Sequence, residues 1–304
     1  MCKQYTLAAY SKTIVAQFAI TGQDNLIAMK QIMHSITLFC LMVLLPTSLS
    51  AGPLFDGHLH YNPADAAQYR PQHIIQILDR NNIKYAVITS TQATYTERLY
   101  HYAPKRIVPL LNVYRSHADK ISWPNDASLP KRIDVELSKE HWRGIGELHI
   151  FTKDRHSPVF RRVVEIAAQR KLPLQLHADP AVIDTVYDIA PSQPVIWAHA
   201  GTFPYPDLIA DYLQRYPALM IDLSVRDGRI APNGEISDDW YELFVRYSDR
   251  FIIGVDTYNL SRWQHYDSVV AGIRHWLAQL PDDVAQQLAY DNAVVFFSKP
   301  ESEK

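Results

Sequence analysis

The chain has 304 residues, 47% of them hydrophobic and 20% charged, with a formal net charge of -2. That composition is enough for one large core and describes an ordinary globular protein. It lacks the basic excess of a phosphate-backbone binder, so no nucleic acid partner is expected, and small neutral or anionic substrates stay open.

Residues 1 to 28 match no recognisable pattern and are expected to be a mis-start or an extension. From Met29 the composition changes. Met29-Lys30-Gln31 gives a basic start, Ile36 to Leu45 an apolar run, and Pro46, Ser48, Ser50 and Ala51 a small-residue exit. These are the parts of a secretory signal peptide over residues 29 to 51. The run is too short to span a bilayer, which needs about 20 apolar residues. The sequence therefore predicts cleavage near Ser50 or Ala51, a periplasmic or secreted location and no stable membrane anchor. Both cysteines, Cys2 and Cys40, fall in the segment to be removed, which leaves no disulfide and no thiolate ligand. Residues 52 to 304 match the roughly 250 residues of one (β/α)8 barrel.

Along that segment short apolar runs alternate with amphipathic ones, the pattern of repeated βα units. Strands are expected at Pro53 to His60, Lys84 to Ser90, Ile107 to Val113, Gly144 to Ile150, Pro173 to Ala178, Val195 to His199, Leu219 to Ser224 and Phe251 to Asp256. Helices are expected at Pro71 to Asn81, Thr94 to Tyr102, Lys131 to Lys139, Pro158 to Arg170, Ala181 to Ile189, Pro206 to Tyr216, Asp238 to Tyr247 and Arg262 to Gln279. A last helix, Asp282 to Phe297, would cover the outside. The fold class is α/β, a single-domain (β/α)8 TIM barrel. Tyr114 to Pro130 is the longest stretch without periodicity; as a loop after a barrel strand it is placed to cover the catalytic face.

Metal-binding side chains close the apolar runs. His58 and His60, two apart, point to one side of the first strand and offer neutral nitrogen ligands. Glu147 follows Gly144-Ile145-Gly146, and a carboxylate buried there wants a cation as partner. His177, His199 and Asp256 end strands five, six and eight. Any one of them has a bland reading as a core histidine, a salt-bridge partner or a helix cap. Their joint occurrence at the carboxyl ends of strands, the face where barrel enzymes carry their chemistry, points to a metal site.

These residues resemble the amidohydrolase superfamily, in its branch of amidohydrolase-related metal-dependent hydrolases. The resemblance runs from Asp56-Gly57-His58-Leu59-His60 through Gly146-Glu147, His177-Ala178-Asp179, Trp197-Ala198-His199-Ala200-Gly201 and Gly254-Val255-Asp256-Thr257 to Asp291-Asn292-Ala293. It implies that His58, His60 and Asp256 hold one metal, that His177 and His199 hold a second, and that Glu147 bridges them, where many relatives use a carboxylated lysine. The cofactor would be one or two divalent ions, Zn2+ first and Mn2+, Fe2+ or Co2+ as alternatives. Such a pair activates water for attack on C=O or P=O, with Asp256 as general base then acid. His149, Arg226 and Arg115 are candidates to contact substrate, and Asp56 to orient a ligand histidine. The expected function is an exported hydrolase of a small amide, ester or lactone. The alternatives are a mononuclear decarboxylase or deaminase of the same superfamily, and a ligand-binding barrel without turnover. Oligomeric state is open, a homo-oligomer included.

Overall fold

In a computed structural model, residues 52 to 298 are described. The mis-start and signal peptide expected within residues 1 to 51 lie outside the described residues. Among the described residues no helix is long and apolar enough to cross a membrane.

Eight strands follow one another as β1 (Leu54–His60), β2 (Ile83–Thr89), β3 (Ile107–Pro109), β4 (Ile145–Ile150), β5 (Leu174–Ala178), β6 (Val195–Trp197), β7 (Leu219–Asp222) and β8 (Phe251–Ile252). They pair in parallel in two ladders, β1-β2-β3 and β4 through β8. Backbone hydrogen bonds join the ladders at both seams. Leu111 N donates to Gly144 O and Gly146 N to Leu111 O, both at 2.9 Å, beyond the end of β3. Gly57 N donates to Ile253 O at 2.8 Å and Asp256 N to His58 O at 2.7 Å, tying β8 back to β1. Among the described residues no sheet edge is left open, and the α/β architecture closes on itself.

Parallel neighbours need crossovers, and helices supply them. They are α1 (Pro71–Arg80), α2 (Ala93–Tyr102), α3 (Leu129–Leu137), α4 (Pro158–Gln169), α5 (Pro180–Ile189), α6 (Pro206–Arg215), α7 (Asp238–Arg246) and α8 (Tyr266–Leu277), with α9 (Asn292–Phe297) last. Local sequence explains their starts. In α4, Pro158 sits at the first position, Ser157 Oγ accepts from Val159 N and Phe160 N, and Val159, Phe160, Val163, Val164, Ile166 and Ala167 form the buried stripe. A cap of this kind contributes about 1 kcal/mol, and the stripe selects the face that meets the sheet.

Alternation along the strands sorts side chains into two cores. Leu54, Leu59, Ile88, Leu148, Leu176, Trp197 and Ile221 face outward into the layer shared with the helices. Phe55, Val87, Leu110, Ile196, Met220 and Ile252 face inward and fill the lower barrel. Above that apolar plug the same inward rows carry Thr89, Asn112, Gln175 and Asp222, all buried, and then the candidate ligands.

The structure corrects several boundaries. β3, β6, β7 and β8 end earlier than expected, at Pro109, Trp197, Asp222 and Ile252, and beyond the last three the chain turns left-handed at His199 (φ 59°), Val225 (φ 56°) and Asp256 (φ 55°). The helix expected from Arg262 to Gln279 breaks at His265 into Leu260–Gln264 and α8. The last helix is interrupted by a π turn at Gln287–Asp291. Its end does not cover the barrel's outside: Ala293, Val294, Phe296 and Phe297 pack on the inward cluster, stoppering the end opposite the histidines. The Tyr114 to Pro130 stretch is ordered by helical turns at Asp119–Ser122 and Trp123–Asn125 and by buried Trp123, whose Nε1 donates to His149 O at 2.8 Å. It therefore lies against the end of β4.

Candidate metal centre

β1 brings His58 and His60 to the mouth with their Nε2 atoms 3.2 Å apart. Across from them stands Glu147. A Cβ at Gly146 would come within 2.7 Å of Gln175 O, so glycine is what lets β4 crowd against β5 at this point. The Glu147 carboxylate then divides four imidazoles into two pairs. Its Oε2 lies 3.4 Å from His60 Nε2 and 3.7 Å from His58 Nε2. Its Oε1 lies 3.2 Å from His177 Nδ1 and 3.1 Å from His199 Nε2. Asp256 completes the first pair, with Oδ1 3.3 Å from His60 Nε2 and 3.8 Å from His58 Nε2. The six residues expected as ligands thus converge on one mouth.

Three groups among the described residues hold ligand atoms within 4.8 Å of one another: His58, His60 and Asp256; His58, Glu147 and His199; Glu147, His149 and His177. The third is the weakest, because Lys120 Nζ stands 3.4 Å from His149 Nε2. An ammonium donating to that nitrogen occupies its lone pair.

Two of these side chains are held at left-handed backbone positions, which cost a non-glycine residue on the order of 1–3 kcal/mol and concentrate at functional sites. Asp256 is braced by its own N–H to His58 O and by Arg262, whose guanidinium donates to the carbonyls of Val255 and Asp256. His199 is braced by Arg226, which donates to His199 O at 2.6 Å and Gly201 O at 3.1 Å.

Asp222 is the functional residue that sequence reasoning missed. Its Oδ2 lies 2.6 Å from His58 Nδ1 and accepts from Ser224 Oγ at 2.9 Å. Ser224 Oγ in turn lies 2.8 Å from His199 Nδ1. With both Nδ1 protons directed at this pair, His58 and His199 present Nε2 as ligand atoms. Gly254 makes the room: a Cβ there would sit 2.9 Å from both Asp222 Oδ1 and His58 Cβ. The signal was available, since Leu219-Met220-Ile221-Asp222 ends in a carboxylate just as β8's run does.

The electrostatics describe a pocket short of cations. Burial alone would lower the His58 pKa, but Asp222, Asp256 and Glu147 hold it well above the ordinary imidazole value. Burial likewise opposes a charged His60, and the neighbouring Asp256 and Glu147 carboxylates raise it. Burial would raise Glu147, yet His58, His149 and the contacts with His177 and His199 hold it well below the usual carboxylate range. Asp256 Oδ1 is buried with no hydrogen-bond partner. A desolvated carboxylate oxygen that accepts no hydrogen bond is costly, and a divalent cation between it and the imidazoles would satisfy it. The residues present therefore fit a metal, and imidazole plus carboxylate suits Zn2+, Mn2+, Fe2+ or Co2+.

The other expected contacts divide. His149 belongs to the site: its ring stacks on His177 at 4.3 Å, and burial pushes its pKa down to about 3. Arg226 directs its Nε and Nη2 to the two backbone carbonyls at β6. Arg115 is exposed and ion-paired with Asp119 and Asp126 at 3.2 and 3.6 Å. Asp56 touches no imidazole; it accepts from His58 N and Val255 N at 3.1 Å and from Tyr266 Oη at 2.7 Å, which joins β1 to β8. A groove lined by Trp142, Arg143, Arg170, Lys171, Phe296 and Phe297 lies at the other end of the barrel, remote from all of these.

Comparison with known proteins agrees with the geometry. A family model described as amidohydrolase matches residues 56–299. The fold is similar to that of an amidohydrolase from Burkholderia multivorans solved with bound Zn (TM-score 0.53, 12% identity, 82% of this chain and 100% of that one). It is also similar to a putative 2-pyrone-4,6-dicarboxylic acid hydrolase from Pseudomonas putida (0.56, 13%, 81% and 97%), and to a TatD homologue from Escherichia coli K12 (0.57, 13%, 81% and 98%). No curated protein matches the sequence.

Proposed function

The chain belongs to the amidohydrolase family, and we propose that it is a metal-dependent hydrolase that cleaves a small amide, ester or lactone. The observation that carries this reading is the Glu147 carboxylate, one oxygen facing His58 and His60 and the other facing His177 and His199. That division supports a site for two cations: His58, His60 and Asp256 would hold one, His177 and His199 the other, and Glu147 would serve both. Zinc is the first choice, as in the Burkholderia multivorans protein. The signal-peptide pattern of residues 29 to 51 supports an exported, periplasmic or secreted enzyme.

When bound, such ions lower the pKa of a water and polarise the scissile carbonyl oxygen. The chain's own residues do the rest. Asp256 stands beside both imidazole pairs and is the base that takes the water's proton and returns it to the leaving group. His177, the most exposed of the four imidazoles, faces the incoming substrate. Asp222 and Ser224 keep His58 and His199 from rotating.

A one-metal site, as in a decarboxylase or deaminase, would draw His177 into the group formed by His58, His60 and Asp256. Here His177 faces the opposite oxygen of Glu147, so the shared-carboxylate reading is preferred. Elemental analysis of the purified protein tests it, with two ions per chain expected and one overturning it. Asp256→Asn, assayed on a panel of esters, lactones and amides, is expected to lose turnover by roughly 10²–10⁴-fold, the range of a lost general acid-base group.

A further inference from the structure

The loop after β3 carries Lys120 over the end of β4. Two contacts fix its base: Trp123 donates to His149 O, and Arg115 N donates to Asp119 Oδ2 at 2.8 Å. The ammonium reaches inward, 3.4 Å from His149 Nε2, and that nitrogen lies 4.0 Å from Glu147 Oε2. His149 Nδ1 faces Tyr114 Oη at 3.3 Å; in the tautomer that donates from Nδ1 to that hydroxyl, Nε2 accepts from the lysine. One of three ammonium N–H groups is thereby used, and two are left.

Three other cations near the mouth are engaged. Arg115 pairs with Asp119 and Asp126, Arg226 with the carbonyls of His199 and Gly201, and Arg262 with those of Val255 and Asp256. Lys120 alone among these has no carboxylate or carbonyl partner among the described residues. On the far side of His149 stands His177, and Phe151 packs edge-on against it with centroids 6.4 Å apart. Phe151 is 38% exposed, an apolar wall open to whatever enters the mouth.

We infer that Lys120 and His149 form a subsite for an anionic group of the substrate, so that the molecule hydrolysed is an organic acid. Its carboxylate lies about one ring's breadth from the bond cleaved, and its apolar body rests on Phe151. This rests on the hydrolase reading above and narrows it. A fixed, partly desolvated ammonium rewards a carboxylate with a charge-assisted hydrogen bond, whereas a neutral substrate leaves it idle. Losing such a bond is expected to weaken use of the acid by roughly tenfold to a hundredfold.

A matched pair of lactones tests this with the metal-loaded full chain: dihydrocoumarin, and dihydrocoumarin bearing a ring carboxylate. Wild type is expected to favour the carboxylated member in kcat/KM, and added salt to erode the preference. Lys120→Gln is expected to reduce that preference by at least about tenfold, Lys120→Arg to restore part of it, and Arg115→Gln to leave it in place. Equal use of both lactones by wild type, or an unaltered preference in K120Q, overturns the subsite while cleavage of either lactone keeps the hydrolase reading. If neither is cleaved, calorimetric binding of the carboxylated lactone still decides. Binding about tenfold weaker in K120Q supports the subsite, and equal binding overturns it.

Discussion

At the scale of single residues, a polar side chain closing an apolar run was the informative sign. It led from the sequence to His58, His60, Glu147, His177, His199 and Asp256, which the fold brings to one mouth. It did not separate Asp56 from Asp222, because both are buried carboxylates beside a ligand histidine, and only the chain's path decides which one meets an imidazole. Asp56 Oδ1 is taken up by the backbone N–H groups of His58 and Val255, whereas Asp222 meets the His58 ring edge. The arginines show a related ambiguity: a guanidinium after a barrel strand can bind substrate or staple its own loop, and Arg226 holds the left-handed turn at His199. Asp222→Asn keeps the shape but removes the charge that fixes the His58 tautomer. It is expected to weaken metal affinity by roughly 10–100-fold, the usual effect of losing a ligand's own hydrogen-bond partner. Ser224→Ala, which frees the His199 edge, should act in the same direction. Competition with a chromophoric chelator reads both, and an unchanged affinity in D222N removes Asp222 from the site.

At the scale of elements, short apolar runs located all eight strands, because a barrel strand with one face toward the helices and the other toward the lumen is buried on both and reads as a near-continuous apolar run. What periodicity could not show was where ladders stop. His199, Val225 and Asp256 turn the chain left-handed; Asp256 N donates to His58 O, and Arg226 donates to His199 O, partners distant in sequence. The end of the last helix was misplaced for a similar reason. An amphipathic segment fits the outer wall or the open floor equally well, and Phe296 and Phe297 chose the floor, where Phe55 stacks on Phe297 at 5.8 Å. The seam between β8 and β1 depends on Asp56, whose second oxygen accepts from Tyr266 Oη in α8. Tyr266→Phe retains the ring, which stacks on Trp263, and strands that buried oxygen. A loss of about 1–3 kcal/mol in unfolding free energy is expected, read from urea denaturation. Metal affinity should fall far less than in D222N. A large metal defect with full stability would instead make Asp56 a ligand-orienting group.

For the whole molecule, the mouth couples metal, protons and stability. Glu147 and Asp256 are buried carboxylates, and in the metal-free protein protonated His58 and His60 neutralise them. Both imidazoles have folded pKa values raised above the ordinary 6.5. Their contribution to stability is therefore complete below pH 6.5 and is lost as pH rises through the folded values. His149 acts with the opposite sign: pushed down to about 3 by burial, it costs stability as pH falls from about 6.5 toward 3. A divalent cation replaces the protons on His58 and His60, so the metal-bound protein escapes the loss at alkaline pH. The gap in Tm between metal-loaded and chelator-treated protein is accordingly expected to widen from pH 6 to pH 9. At a free metal concentration about 100-fold above Kd the stabilisation is about 2.7 kcal/mol, equivalent to roughly 5–10 °C for a domain of this size. Scanning calorimetry across that pH range checks it. A gap that stays constant, or that closes as pH rises, would mean that these imidazoles and carboxylates do not share a cation, and the chemistry assigned to the barrel mouth would fall with it.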